Sequence, residues 1–345
     1  MGSPCGTSLG GTILMNEALP ILTVFASLPR SADGRAVLRA ADPLAAHLAM
    51  REQALLVQHS ERRFVRLRGP GAEEYLQRLT SADVIGLAPG QGSLNCVLSG
   101  KGKLIAHFLL WRLELESFLL EVGVEAAEAL YSFLDQFHFA EPFDLDRPDL
   151  LCVGRIGPAV GTWEDWQLLA AGDGYLLRSD ELGQPSERFV GPLAAAEAWA
   201  AGQSGDPLGG SQEIECLRIE AGWPRAGFDA EERSVPLELG LDSACSTTKG
   251  CYPGQEMIAR IYRHGHVNRS LVRVRIEGGE LPERGAGIFD EGMQAGRLTS
   301  VCEVPGSDFA LGLAMLPLAA IEDAEDLRVG GEDGSLLKLL GVVKL

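Results

Sequence analysis

Apolar and polar positions fall into an organised pattern from about Ala54 onward. Residues 62–67 predict a short strand, Gly69-Pro70-Gly71 a turn, and the spacing of Ala72, Tyr75, Leu76 and Leu79 a helix over 72–79. Residues 94–98 and 104–113 predict a hairpin around Ser99-Gly100-Lys101-Gly102-Lys103, followed by a strand over 117–122. Ala126, Leu130, Phe133, Leu134 and Phe137 share one face of a helix over 125–137. A second unit, roughly 150–245, has strands at 150–156 and 174–177, an alanine-rich helix at 193–200 and a polar loop at 201–212. From Leu271 the texture changes to short strands separated by glycine, the pattern of a small β-barrel. Strands and helices alternate without a regular βαβ repeat, so the expected fold class is α+β.

Residues 1–45 have weak periodicity and are expected to form a disordered N-terminal extension. No apolar run reaches the roughly 18 residues of a membrane span. No basic residue precedes Arg30, so the positive start of a secretory signal is missing, and the expected location is the cytoplasm. At 46% hydrophobic and 23% charged, the 345 residues have material for a sizeable core.

Thirty Lys+Arg against 48 Asp+Glu leave a net charge of −18, which works against binding to duplex nucleic acid or lipid over most of the surface. Residues 249–275 run the other way. Lys249, Arg260, Arg263, Arg269, Arg273 and Arg275 oppose only Glu256, giving +5 and leaving −18 − 5 = −23 elsewhere. Such a patch favours a carboxylate or phosphate ligand over a duplex. The seven cysteines are scattered with no CxxC pair, so neither a disulfide framework nor a zinc knuckle is indicated. Only Cys251, two residues from Lys249, has a setting that favours thiolate; the alternative is a basic turn with a buried cysteine entering a barrel strand. Gly90-Gln91-Gly92 lacks a third glycine, where Asn95 stands, and the 99–103 hairpin lacks a Ser or Thr after its lysine, so neither a dinucleotide nor an NTPase reading holds. His264 and His266 are the only histidines near metal spacing, and no metal site is expected.

KGCYPGQE, residues 249–256, resembles the KGCYxGQE signature of the YgfZ family of folate-binding proteins, relatives of the glycine-cleavage T-protein, an aminomethyltransferase. The resemblance extends to residues 66–84, RIEAGWPRAGFD (218–229), VPLELGL (235–241), GHVNR (265–269) and GRLTS (296–300). It implies a three-part cloverleaf around a central folate site: two α/β parts over 46–270 and a C-terminal β-barrel over 271–345. Residue by residue, it implies that Asp83 is the catalytic aspartate beside the folate nitrogens and Glu220 the pterin carboxylate. It also places Lys249, Tyr252 and Arg260 at the folate site and makes Cys251 the reactive thiol. On the residues alone, Asp83 reads as a loop cap, Glu220 as a strand-end charge beside Arg218, and Arg260 as a partner of Glu256 four residues before it.

Two departures from the T-protein pattern bear on chemistry. Ile105-Ala106-His107 stands where the T-protein carries an acidic pair, and the cysteine signature is one the T-protein lacks. The resemblance therefore implies a tetrahydrofolate-binding protein that assists iron–sulfur cluster assembly or repair in client proteins. The alternatives are a folate-dependent aminomethyl or one-carbon transferase, and a folate-binding scaffold whose basic patch docks a protein or a structured RNA such as tRNA.

Overall fold

The computed structural model describes residues 19–34, 36–278, 280–323, 326–331 and 333–345, with His264 described by its backbone alone. Cys5 and residues 1–18 of the expected extension lie outside the described residues. Helix α1 (Pro43–Glu52) starts at Asp42, whose side chain accepts from the Ala45 amide, with Pro43 in the first turn. Strand β1 (Leu55–Gln58) follows. The chain then builds β2 (Arg62–Arg68), α2 (Ala72–Leu79), β3 (Gly92–Leu98), β4 (Leu104–Glu114), β5 (Ser117–Gly123), α3 (Val124–Gln136) and β6 (Asp144–Asp146).

These five strands, β2 to β6, form an antiparallel sheet in the order β3-β4-β5-β2-β6. The α2 stripe of Ala72, Tyr75, Leu76 and Leu79 and the α3 stripe of Ala126, Leu130 and Leu134 are buried together with the sheet's Phe108, Leu110 and Leu120. Each of the larger side chains contributes about 1.5–3 kcal/mol by leaving water.

Next come β7 (Leu151–Ile156), β8 (Gln167–Ala171), β9 (Gly174–Ser179), β10 (Ser186–Gly191), α4 (Leu193–Ala201), β11 (Leu208–Gly209) and α5 (Ser211–Ala221). The second sheet has the order β11-β1-β7-β10-β9-β8, so β1 is donated across the boundary between the two α/β parts. Helix α6 (Gln255–His264) leads into a closed barrel of β12 (Arg269–Glu277), β13 (Gly287–Asp290), β14 (Met293–Glu303), β15 (Phe309–Pro317), β16 (Arg328–Val329) and β17 (Ser335–Val342). Closure comes from β12, which pairs with both β15 and β17. The α+β class and the C-terminal barrel are as the pattern predicts.

Three segments differ from expectation. Leu19, Leu22, Phe25, Leu28 and Val37, expected in a disordered extension, are buried with Leu56, Val153 and Phe189 of the second sheet and Ala196 and Ala200 of α4. Their spacing matches no long helix or strand, because they coat a sheet from an irregular segment. Residues 208–212, expected in a polar loop, pair with β1 and hydrogen-bond to Val37 and Leu38. Residues 218–220, taken as a strand end, are the last turns of α5.

Candidate functional site

The octapeptide 249–256 is seated on the hairpin of residues 99–103. Gly254 precedes α6 with φ of +81°, and a Cβ there would meet Gly102 Cα and Ser99 O, each at 2.7 Å. Glycine is required on both counts. Lys249 Nζ donates to the carbonyls of Thr80 (2.6 Å) and Ala82 (2.7 Å) and lies 5.2 Å from the centre of the Tyr252 ring. Burial lowers its ammonium to about 8, against the opposing charge of Asp83. Tyr252 Oη donates to Ser246 O at 2.9 Å. The loop is thus latched to residues 80–82, and Cys251 is exposed on it.

This geometry changes several expected roles. Lys249 spends its charge on two backbone carbonyls, because a half-buried ammonium needs acceptors, and it is not committed to the thiol of Cys251. Asp83 is exposed and accepts from Gln77 Nε2 at 2.9 Å. Arg260 is exposed on α6, and among the described residues no ion pair joins it to Glu256. The basic stretch does not form one patch: Arg269 pairs with Glu238, Arg275 with Glu277, and Arg273 donates to Glu220 O.

A small cavity of about 100 Å³ opens between the first sheet, α5 and residues 223–226. Its wall carries a dense set of charges. Glu121, fully buried, accepts from Trp111 Nε1 at 3.0 Å and pairs with Arg188 at 3.3 Å; Arg188 in turn pairs with buried Glu181. Arg62 Nε lies 3.6 Å from Glu121 Oε1, too far for a hydrogen bond. Burial opposes ionisation of Glu61, yet His59 and Arg62 beside it hold its carboxyl at about 2. His107 is lowered to about 4 by burial and then by the charge of Arg62, while it hydrogen-bonds to the backbone of Pro224. It is therefore a neutral imidazole at physiological pH.

Among the described residues, Arg62 Nε, His107 Nδ1 and Glu121 Oε1 are buried without a hydrogen-bond partner, and all three residues line this cavity. Leaving such groups unmet costs about 1–3 kcal/mol each. The three sites present one donor, Nε–H, and one fixed acceptor, the carboxylate oxygen; His107 Nδ1 is a second acceptor when its Nε2–H is given to Pro224.

On the same helix, Arg218 links the parts of the molecule. It reaches Asp229 (2.7 Å), Trp223 O (2.7 Å), Glu215 (2.5 Å) and Ser300 on β14 (2.7 Å). Asp229 also accepts from Thr299 and Ser300. Segments 218–229 and 296–300, far apart in sequence, meet at this buried cluster.

Glu220 does not face the cavity. The α5 positions that line it are Ser211, Ile214, Glu215 and Arg218, a 3–4 residue rhythm that puts Glu220, two positions on, across the helix. Both its oxygens are taken by Arg51 of α1. Neither Glu220 nor Asp83 lines the cavity. The residues that do line it, Arg62, His107, Glu121 and Glu215, were missed as candidates. A signal existed: His107 and Glu121 are single polar residues inside the apolar runs of β4 and β5. Among the described residues no group of three or more His, Cys, Asp or Glu is placed to hold a metal ion, and no helix is long and apolar enough to cross a membrane.

Residues 39–147 match the GCVT N-terminal domain family. An aminomethyltransferase of Halothermothrix orenii is 25% identical over 77% of this chain and 81% of its own, and one of Rubrobacter xylanophilus 28% identical over 79% and 78%. An uncharacterized protein of Haemophilus influenzae is 26% identical over 65% of this chain and 74% of its own. The crystal structure of glycine cleavage system aminomethyltransferase T from Bartonella henselae superposes with a TM-score of 0.80 at 22% identity, covering 91% of this chain and 92% of that one. The chain is thus similar in sequence to aminomethyltransferases, matches the GCVT N-terminal domain over residues 39–147, and has a T-protein-like fold.

Proposed function

We propose that the cavity lined by Arg62, His107 and Glu121 binds the pterin of a tetrahydrofolate, and that the protein assists iron–sulfur cluster assembly or repair in client proteins through Cys251, in the cytoplasm. The observation that carries the folate reading is one cavity lined by Arg62, His107 and Glu121, each of which keeps a buried polar atom without a hydrogen bond. The 2-amino-4-oxo edge of a pterin offers N–H donors and a carbonyl acceptor, the complement of one donor and two acceptors. Arg62, His107 and Glu121 would hold it. The aminomethyltransferase relatives support the same ligand class. The cluster-related role rests on the resemblance of residues 249–256 to the YgfZ signature and on the exposure of Cys251, which leaves its sulfur open to a partner.

Calorimetric titration of tetrahydrofolate into wild type and Glu121→Gln tests the cavity. A tenfold or larger loss of affinity is expected in the variant, since a charge-assisted bond is replaced by an amide. Equal affinity removes the assignment. For the thiol, a Cys251→Ser copy as sole source should lower the activity of iron–sulfur enzymes in cells, and normal activity rules the role out.

The relatives also favour a second reading, a folate-dependent one-carbon transferase. Asp83 lies outside the cavity, so His107 is the group placed for proton exchange there. Its lowered pKa makes it a weak base, which argues against efficient turnover. Formation of methylene-tetrahydrofolate from an aminomethyl donor, abolished in His107→Asn, would establish the transferase instead.

A further inference from the structure

We propose that Cys216 of α5 and Cys302 of β14 form a thiol–disulfide exchange pair, oxidised reversibly by small disulfides (RSSR) that enter a second cavity. That cavity, about 450 Å³, lies on an adjoining face of α5, shares Glu215 with the first, and is lined by Arg39, His47, Met50, Cys216, Cys302 and Glu303 among others. The two thiols come from different parts of the molecule, 86 residues apart in sequence, and share one cavity wall where α5 packs on β14, close enough to influence each other's ionisation. Both are buried as residues, at 4% and 9% exposure, yet both belong to the cavity wall, so a reagent that enters the cavity meets them together.

The pair is asymmetric. The S–H of Cys302 stabilises the Cys216 thiolate and holds it below the usual thiol range, with Arg51 helping against burial. Cys302 is pushed up by Cys216 and by burial. Cys216 is therefore the attacking sulfur and Cys302 the resolving one. His47, whose buried Nδ1 makes no hydrogen bond, lines the same cavity, and burial keeps it neutral and able to take a proton. A second pair of cysteines, Cys96 and Cys245, lacks this setting: neither lines a cavity described above, and burial drives the Cys96 thiol up.

The chemistry balances in two steps. Cys216 thiolate bonds to one sulfur of RSSR and expels the other as RS⁻. Cys302, losing its proton, bonds to Cys216 and expels the second RS⁻. The two protein protons end on the two RS⁻, so RSSR is reduced to two RSH while the pair is oxidised by two electrons. The product would tie α5, which also carries the first cavity's Glu215 and Arg218, to the barrel.

The folded full-length protein incubated with oxidised glutathione, then mapped by mass spectrometry without reduction, provides the test. Exposed Cys251 serves as internal control for the reagent. The expected result is a peptide pair linking Cys216 to Cys302, lost on reduction. Cys302→Ser should trap glutathione on Cys216, at least tenfold more than Cys216→Ser traps on Cys302. Derivatised Cys251 with Cys216 and Cys302 still reduced overturns the proposal, and this arm needs no variant. Preferential trapping on Cys302 overturns the assigned roles.

Discussion

Arg51 grips both carboxylate oxygens of Glu220, at 2.9 and 2.5 Å, and so ties α1 to α5. A residue whose acceptors are filled from within the chain is a structural clamp before it is a ligand group. Both side chains are about a third exposed, which discounts the pair. Glu220→Ala should therefore cost only about 0.5–1 kcal/mol in urea unfolding. Tetrahydrofolate affinity by calorimetry should be unchanged; a tenfold loss would return Glu220 to the binding edge.

Glu121 is the opposite case, a fully buried carboxylate that balances Arg188 and faces Arg62. Glu121→Leu keeps volume but leaves buried cations under-compensated. It should lower stability by about 3–5 kcal/mol, read as a large fall in thermal midpoint. A change under 1 kcal/mol would mean that Glu181 alone balances Arg188.

His107 sets a pH dependence. Its folded pKa of about 4 lies below the ordinary 6.5, so between these values the unfolded chain binds a proton that the folded chain refuses. Stability is therefore full above 6.5 and falls as pH drops toward 4, by about 3 kcal/mol for a shift of this size. Urea midpoints at pH 7 and pH 4.5 should differ accordingly, and His107→Asn should flatten that part of the curve. Glu61, held at about 2, acts in the same direction in a lower window, between about 4.5 and 2.

Gly254 tests the seat of the signature loop. An alanine there meets left-handed backbone and Gly102 Cα at once, and should cost about 1–3 kcal/mol and speed proteolysis near residues 246–254. Gly100→Ala, in the same hairpin with nothing within 4 Å of an added Cβ, should change stability by under about 0.5 kcal/mol. Equal effects of the two would show that the close approach of Gly254 to Gly102 carries no energy.

Local pattern made much of the fold legible. The stripe Ala72, Tyr75, Leu76, Leu79 marked α2 at its observed bounds, and glycine-separated short strands marked the barrel. The same reasoning failed on residues 19–37, because apolar residues coating a sheet from an irregular segment carry no period of 2 or 3.6. It also assigned no element to residues 255–264, which form α6.

Chemistry divided along the same line. By itself the sequence determined the α+β class, the barrel and the density of chemical residues around Cys251, since periodicity and composition are local properties. Which carboxylates face the cavity, which cations are already spent and which thiols share a cavity wall were decided by the tertiary structure. Helix phase turned Glu215 inward and Glu220 toward Arg51, and burial obliged Lys249 to seek the carbonyls of Thr80 and Ala82. Desolvation and pairing depend on neighbours that lie tens of residues away in the chain, so no local pattern encodes them.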